Sequence, residues 1–343
     1  MTEIIDDLQH SATIVVAALG SKKMSATDYT CTGTNDHAII NQAINALPSG
    51  GGKIILLEGT YNCSGAITIA KDNVTFEGMG AGTVINTTYS DWTGAIAASG
   101  ANVRFKNFTF TGSDITSGRN GIRITGTRAV VEGVRFSTFD KAIYVQNSDA
   151  ACYSSFTKNI FDGCNIGIEV NHATRAMVAN NHFLSCTTGI LFSDQIHDSI
   201  ISDNIVYGGT TGINIAANCT LNSVVGNFVR EVSSYGIYTQ AQYTIIDSNF
   251  LYYNSEGIYS SGGYSTINGN LCRDNTTGID VAGGTNTCVT GNTIVKGSYG
   301  NAQYSILLSS STWWSLVVGN CVGGKDCVDN GSGHGNIIEN NRS

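Results

Sequence analysis

The feature that most constrains this chain is a repeat of 21–25 residues that runs through most of it. One register is a small residue followed by aliphatic–x–aliphatic: Gly121-Ile-Arg-Ile, Ala142-Ile-Tyr-Val, Gly167-Ile-Glu-Val, Gly189-Ile-Leu-Phe, Gly212-Ile-Asn-Ile, Gly236-Ile-Tyr-Thr, Gly257-Ile-Tyr-Ser and Gly278-Ile-Asp-Val. A second register places an apolar residue three before an asparagine, from Phe156/Asn159 through Val178/Asn181, Ile201/Asn204, Val224/Asn227, Ile246/Asn249, Ile267/Asn270 and Val289/Asn292 to Val317/Asn320 and Ile337/Asn340. Two patterns sharing one period mark a solenoid. Side chains alternate across a strand, so each aliphatic–x–aliphatic unit points two residues inward and one outward. A period near 22 accommodates three short strands and their turns but not a strand plus a crossover helix. One such coil cannot bury its own apolar face, whereas stacked coils can.

These spacings predict an all-β fold, a right-handed single-stranded parallel β-helix of about 22 residues per coil, with a capping α-helix near the N-terminus. The recurrent Asn is expected to occupy a left-handed turn and to bond the next coil, and the recurrent Gly to supply another special turn angle. The helix is read at 36–47, where apolar residues fall at helical spacing after a candidate N-cap at Asn35 or Asp36, before Pro48-Ser-Gly-Gly-Gly52 breaks it. The expected organisation is an N-terminal strand and amphipathic capping helix over 1–52, then one continuous β-helix over 53–343. At the far end the repeat runs to within three residues of the last one, which leaves that end of the solenoid uncapped. Either a neighbouring chain covers it, in a homo-oligomer that would be a trimer if the chain is tail-spike-like, or the sequence is truncated there.

Composition narrows the partners. The net charge of −8 and the absence of a basic stripe argue against nucleic acid. The same charge disfavours an acidic polysaccharide unless the few cations gather at one place. No apolar run is long enough for a transmembrane helix, so membrane insertion is not expected, and MTEIIDDLQHSATIVVAALG lacks the basic n-region of a secretory signal. The place of action stays open between the extracellular space and a virion. None of the ten cysteines forms a C-x-x-C pair, and they are read as free thiols packed as small apolar residues.

The segment Thr34-Asn-Asp-His-Ala-Ile-Ile-Asn-Gln-Ala-Ile-Asn-Ala-Leu-Pro-Ser-Gly-Gly-Gly-Lys-Ile-Ile-Leu-Leu-Glu-Gly-Thr-Tyr61 resembles the N-terminal cap and first coil of pectate-lyase-superfamily β-helix proteins. That group includes polysaccharide lyases, glycoside hydrolases, mannuronan epimerases and phage tail spikes. The resemblance implies the fold and a polysaccharide partner, without choosing a reaction. The Tyr/Asp-Pro-His signature of alginate epimerases is not evident. Ser332-Gly-His-Gly335 is superficially similar to the polygalacturonase Gly-His-Gly segment, but it has no partner aspartates upstream.

The outward residues of successive coils form a row: Arg123, Tyr144, Glu169, Leu191, Asn214, Tyr238, Tyr259 and Asp280. Flat phenol rings stack on sugars while their hydroxyls hydrogen-bond, so Tyr144, Asn214, Tyr238 and Tyr259, with His197, are the candidate substrate-binding residues. The densest group of ionisable residues is Glu169, His172 and Arg175 followed one coil later by Asp194 and His197, and the first four of these are the candidate catalytic set. Coil alignment places His172 beside Asp194 and Arg175 near His197. Arg175, His172 and Tyr144 suit β-elimination of a uronate as cation, base and acid. Glu169 and Asp194 suit glycoside hydrolysis as paired carboxyls. No cofactor and no metal ligand set is expected, with Asp194, Asp198 and Asp203 as the one candidate Ca²⁺ group. Functionally, the chain is read as a polysaccharide lyase or hydrolase, or alternatively as a non-catalytic glycan-binding or structural β-helix of a phage tail spike or surface protein.

Overall fold

The structure, a computed structural model, describes residues 12–22, 27–116, 118–146, 152–295, 304–323, 327–331 and 334–342. The chain is all-β apart from one helix and forms a parallel β-solenoid whose strands fall into three sheets. Two compact units, Met1–Asn165 and Ile166–Ser343, are described in turn.

In the first unit, Gly52–Leu56, Val74–Gly78, Arg104–Lys106, Val130–Glu132 and Ser155–Thr157 pair in parallel as the first sheet, which Thr13–Ala17 and Tyr29–Thr30 extend. Gly59–Cys63, Thr83–Thr87, Thr109–Thr111, Arg135–Ser137 and Ile160–Asp162 form the second sheet. Ile67–Ile69, Ile96–Ala98, Asn120–Ile124 and Lys141–Gln146 form the third. Aromatic residues fill the interior. Phe110, Phe136 and Phe139 cluster, and Phe136 stacks on Phe161 with centroids 5.0 Å apart.

Helix Asp36–Ala46 closes the open strand edges of this unit. Its Asn41 imitates a neighbouring strand: Nδ2 donates to Ala66 O at 2.8 Å while Oδ1 accepts from Thr68 N at 2.8 Å. Asp36 differs from its expected role. Helix N-cap Asn35 is left-handed with no side-chain capping bond. The buried Asp36 carboxylate instead accepts from Thr32 N and Gly33 N and, across the unit, from Asn62 N at 2.8 Å. Edge amides of the second and third sheets are thereby satisfied without another coil.

In the second unit the third sheet comprises Ile166–Thr174, Thr188–His197, Thr211–Ile215, Tyr235–Thr239, Glu256–Ser260, Thr277–Val281, Tyr304–Leu308 and Cys327–Asp329. The first sheet runs from Met177–Ala179 to Ile337–Glu339, and the second from His182–Leu184 to Cys321–Gly323. Inward columns are aliphatic, Ile190, Ile213, Ile237, Ile258 and Ile279 lying in register with almost no exposure.

An asparagine ladder runs through this unit. Each side-chain Oδ1 accepts both the backbone N–H and the Nδ2 of the Asn one coil earlier, in the sequence Asn181, Asn204, Asn227, Asn249, Asn270, Asn292, Asn320 and Asn341, at 2.9–3.0 Å. Each Nδ2 from Asn204 onward also donates to a buried carbonyl, as Asn227 does to Ile201 O at 3.0 Å. The left-handed angle falls on the residue before each ladder member (Asp203, Gly226, Ser248, Gly269) and not on the ladder Asn itself. The final member is Asn341: Ile338 aligns with Val317, and Asn340 takes the left-handed place. The doubled Ile337-Ile338 and Asn340-Asn341 allow two phases in sequence, and strand pairing selects one.

The coil glycines also act differently from the expectation. Gly212, Gly236 and Gly257 do not have positive φ. A Cβ on Gly236 would lie 2.6 Å from Gly257 O and 2.9 Å from Leu251 Cδ1, so the glycine permits close stacking of coils. Among the described cysteines, Cys31, Cys63, Cys152, Cys164, Cys186, Cys219 and Cys272 are buried, and burial pushes the Cys272 thiol up to about 12.

Asn227→Ala takes a partner from two amide groups of Asn204 and from the Ile201 carbonyl, and a loss of about 3 kcal/mol or more is expected at about 1–3 kcal/mol for each buried group left unsatisfied. Denaturant unfolding checks this, with the half-buried Asn341→Ala as the milder comparison. Gly236→Ala should cost about 1–3 kcal/mol through overpacking; a melting temperature equal to wild type would show that the stack can open to admit a methyl group.

Candidate active site

The third sheet of the second unit presents two outward columns. One is the residue between the inward aliphatics: Glu169, Leu191, Asn214, Tyr238, Tyr259, Asp280 and Leu307, in register. The other is the residue before each coil glycine, Thr188, Thr211, Tyr235, Glu256 and Thr277, continued in register by Tyr304 before Ser305. Side chains of the two columns meet at Tyr235, Tyr238 and Tyr259.

Three tyrosines demonstrate the convergence. Tyr238 and Tyr259 stack across one coil step, centroids 5.0 Å apart and planes at 14°. Tyr235 reaches them from the other column, at 4.8 Å from Tyr238 and 5.3 Å from Tyr259. The Tyr235–Tyr259 contact is a diagonal, from the glycine-side column of one coil to the central column of the next. Glu256 and Asp280 hold the same diagonal one coil further on.

These two carboxyls sit in an environment that resists ionisation. Glu256 Oε2 and Asp280 Oδ1 are buried and have no hydrogen-bond partner. Burial pushes Asp280 up to about 6. Burial and then the charge of Asp280 push Glu256 up to about 7. Asp280 ionises first, when Glu256 is still neutral, so only Glu256 titrates against a neighbouring charge. Around them, burial is also the largest cause raising the Tyr235 and Tyr259 hydroxyls, with the nearby carboxylates adding to it. Both phenols therefore remain donors at neutral pH.

The ionisable group singled out in the sequence occupies the two longest strands, Ile166–Thr174 and Thr188–His197. A bulge between Val170 and Asn171 shifts their register. His172 Nε2 lies 3.5 Å from Asp194 Oδ2, and Asn218 Nδ2 donates to Asp194 Oδ1 at 2.9 Å. His172 Nδ1 contacts Asn171 Oδ1. Glu169 is buried, and its Oε1 accepts from Ser193 Oγ at 3.0 Å, which in turn accepts from Asn171 Nδ2. His197 Nδ1 pairs with Thr220 Oγ1 at 2.7 Å.

Arg175 occupies a left-handed turn, where its backbone N–H donates to His197 O at 3.0 Å. It lies six residues beyond Glu169, as much as ~20 Å along extended chain. Glu169 aligns with Leu191, and Asp194 aligns with Asn171 beyond the bulge. The structure thus brings His172 to Asp194 and the Arg175 backbone to His197, and it places Glu169 and Asp194 at different register positions. Tyr144, in the first unit, carries the Lys141 ammonium over its ring at 4.1 Å. Asp198 and Asp203 sit in different left-handed turns on either side of Ile200–Ser202. Among the described residues no group of three or more His, Cys, Asp or Glu is placed to hold a metal ion. Ser332 and Gly333 of the Gly-His-Gly segment lie outside the described residues, and His334 stacks on Trp313 at 3.7 Å.

Tyr235 and Glu256 were not among the sequence candidates. Their signal is the position before the coil glycine, which reads Thr at 188, 211 and 277 and changes to Tyr and Glu in two consecutive coils between them.

Residues 93–240 match the family described as the right handed beta helix region. A comparison with curated proteins gives no match. Among solved structures, the A-module of the Azotobacter vinelandii mannuronan C-5 epimerase AlgE6 superposes with a TM-score of 0.80 at 18% identity, covering 90% of this chain and 96% of that one. DFA-IIIase from Arthrobacter chlorophenolicus A6, in complex with GF2, gives 0.71 at 13% identity and 96% and 97% coverage. The pre-mature gene product 12 of bacteriophage phi29 gives 0.64 at 14% identity, covering 96% of this chain and 54% of that one. At these identities the likeness is one of fold, the right-handed parallel β-helix that the matched family also describes over residues 93–240.

Proposed function

We propose that the protein cleaves a glycosidic bond of a polysaccharide at the Tyr235–Tyr238–Tyr259 platform, with Glu256 as general acid and Asp280 as the ionised carboxylate. The observation that carries this reading is the Glu256–Asp280 diagonal, with a buried oxygen on each carboxyl lacking a partner. Glycoside hydrolysis needs one carboxyl that keeps its proton at working pH and one that has lost it. Between about 6 and about 7, Asp280 is largely ionised and Glu256 largely protonated. Glu256 then donates to the departing oxygen while Asp280 supplies the carboxylate on the other reacting side.

The tyrosines supply what the carboxyls cannot. The aromatic platform offers a face for a sugar ring, and the Tyr235 and Tyr259 hydroxyls remain protonated to bond its oxygens. Elimination from a uronate would require a cation against the sugar carboxylate. Among the described ion pairs, no Lys, Arg or His is joined to Glu256 or Asp280. The glycan-directed names of the epimerase and DFA-IIIase neighbours agree with a polysaccharide partner.

The test is release of new reducing ends from a panel of neutral and acidic glycans, with unsaturated products monitored in parallel. Glu256→Gln and Asp280→Asn should each lower kcat/KM by about 100-fold or more, the range for loss of a proton-transfer group. Turnover unchanged in both variants, or unsaturated product without dependence on either, would remove the pair from the reaction.

The pH profile of kcat/KM should be a narrow bell. Activity falls below about 6 as Asp280 takes up its proton and above about 7 as Glu256 loses its own. Stability should shift in a linked way: with its folded value raised, Glu256 favours the folded state at low pH and loses that contribution as pH rises through about 7. Glu256→Gln should therefore flatten the fall in melting temperature between about 4.5, the ordinary carboxyl value, and about 7, which also verifies that the variant is folded.

A further inference from the structure

On the third sheet of the first unit, Arg123 points outward between the inward Ile122 and Ile124, in register with Ala97 on one side and Tyr144 on the other. The small Ala97 leaves room for the turn bearing Trp92 to approach. That turn is built: Thr93 N donates to Asp91 Oδ1 at 2.9 Å, Gly94 N to Asp91 O at 3.0 Å, and Asn120 Nδ2 to Trp92 O at 3.0 Å. Gly94, left-handed, comes so near that a Cβ there would be 2.8 Å from Arg123 Cβ.

The anchored turn holds Trp92 with 64% of its surface in solvent. The Arg123 guanidinium lies 4.9 Å from the indole centroid, and its Nη2 donates to Gln146 Oε1 at 2.9 Å. Arg123 Nε is buried without a hydrogen-bond partner, and among the described residues Arg123 makes no ion pair. In the adjoining column the Lys141 ammonium rests on the Tyr144 ring. Carboxylates of the same region are committed elsewhere: Asp140 to Gly118 N and Asn165 Nδ2, Asp114 to Arg119, and Asp91 within its own turn.

We propose that Trp92, Arg123, Lys141 and Tyr144 form a binding subsite for an anionic sugar unit, a uronate or a sulfated residue of a polysaccharide. The proposal rests on the reading of the protein as glycan-active but not on the cleavage chemistry. A sugar ring packs against the exposed indole, and its acidic group meets the guanidinium and ammonium, whose aromatic supports hold them in place. In a chain of net charge −8, non-specific attraction of polyanions is disfavoured, so affinity for one would come from a local grouping of cations such as this.

Affinity electrophoresis of the full chain through gels containing polygalacturonate, dextran sulfate or uncharged dextran tests the subsite, with Trp92→Ala, Trp92→Tyr and Arg123→Gln beside the wild type. Polyanion retardation is expected for the wild type and not with dextran. Trp92→Ala and Arg123→Gln should bind at least ten-fold more weakly with unchanged melting temperature, Trp92→Tyr should recover most of the loss, and added salt should weaken the wild type. Retardation by one polyanion alone identifies the acidic group as carboxylate or sulfate. Equal retardation of wild type, Trp92→Ala and Arg123→Gln, or equal retardation by dextran, would overturn the subsite. Glu256→Gln should bind as the wild type does, so a protein that binds polyanions but cleaves nothing refutes the cleavage reading alone. Cleavage of neutral glycans with no polyanion retardation refutes the subsite alone.

Discussion

Register between stacked coils is the constraint on which everything else here depends. Parallel strands of three to five residues have few bonds each, and a one-residue slip would turn every inward aliphatic to solvent. The buried Asn ladder opposes such a slip because a single Oδ1 must receive two donors from the preceding coil while Nδ2 reaches a carbonyl. Moving the chain by one residue would leave buried amide groups unpaired at each step, a cost that accumulates along the column. The inward Ile and Val columns favour stacking in general; the ladder specifies one stacking.

Fixed register converts sequence distance into chemistry. Tyr238 and Tyr259 are 21 residues apart in sequence and 5.0 Å apart as rings. The coil glycine adds the second column. It lets the backbone of one coil close on the carbonyl of the next, and the residue before it stands beside the central one, as Tyr235 does beside Tyr238. A two-column surface can surround a carboxyl on several sides, which a single row of alternating residues cannot. Burial deep enough to raise Glu256 and Asp280 follows from that surface, with Tyr235, Tyr238 and Tyr259 forming one wall of it.

The period, the inward aliphatics and the capping helix were legible in the sequence because each recurs or follows a local rule. What escaped was decided by contacts between coils. The left-handed angle sits before the ladder Asn because the Asn must aim its side chain along the axis. Asp36 looks like a helix cap, yet it serves the edge of a strand 26 residues away. Of the candidate residues, Tyr238 and Tyr259 lie at the proposed platform, and His172 meets Asp194 as alignment indicates. Glu256 was missed because composition cannot reveal how far a carboxyl is removed from water.

The two carboxylate groups of the second unit differ in how their polar atoms are satisfied, and this difference ranks them. Glu169 has Ser193, and Asp194 has His172 and Asn218. A bonded network of this kind holds an irregular stretch in shape, here the bulge at Val170/Asn171. Glu256 and Asp280 each bury an oxygen with no donor, which costs folding free energy and stabilises nothing in the isolated chain. A buried group without a partner gains one when a ligand supplies hydroxyl donors, and the raised affinity for a proton is what an acid catalyst requires near neutral pH. Strain that folding does not relieve is thus placed beside an aromatic surface suited to sugars, and the proposed glycan is the one ligand that would meet both features.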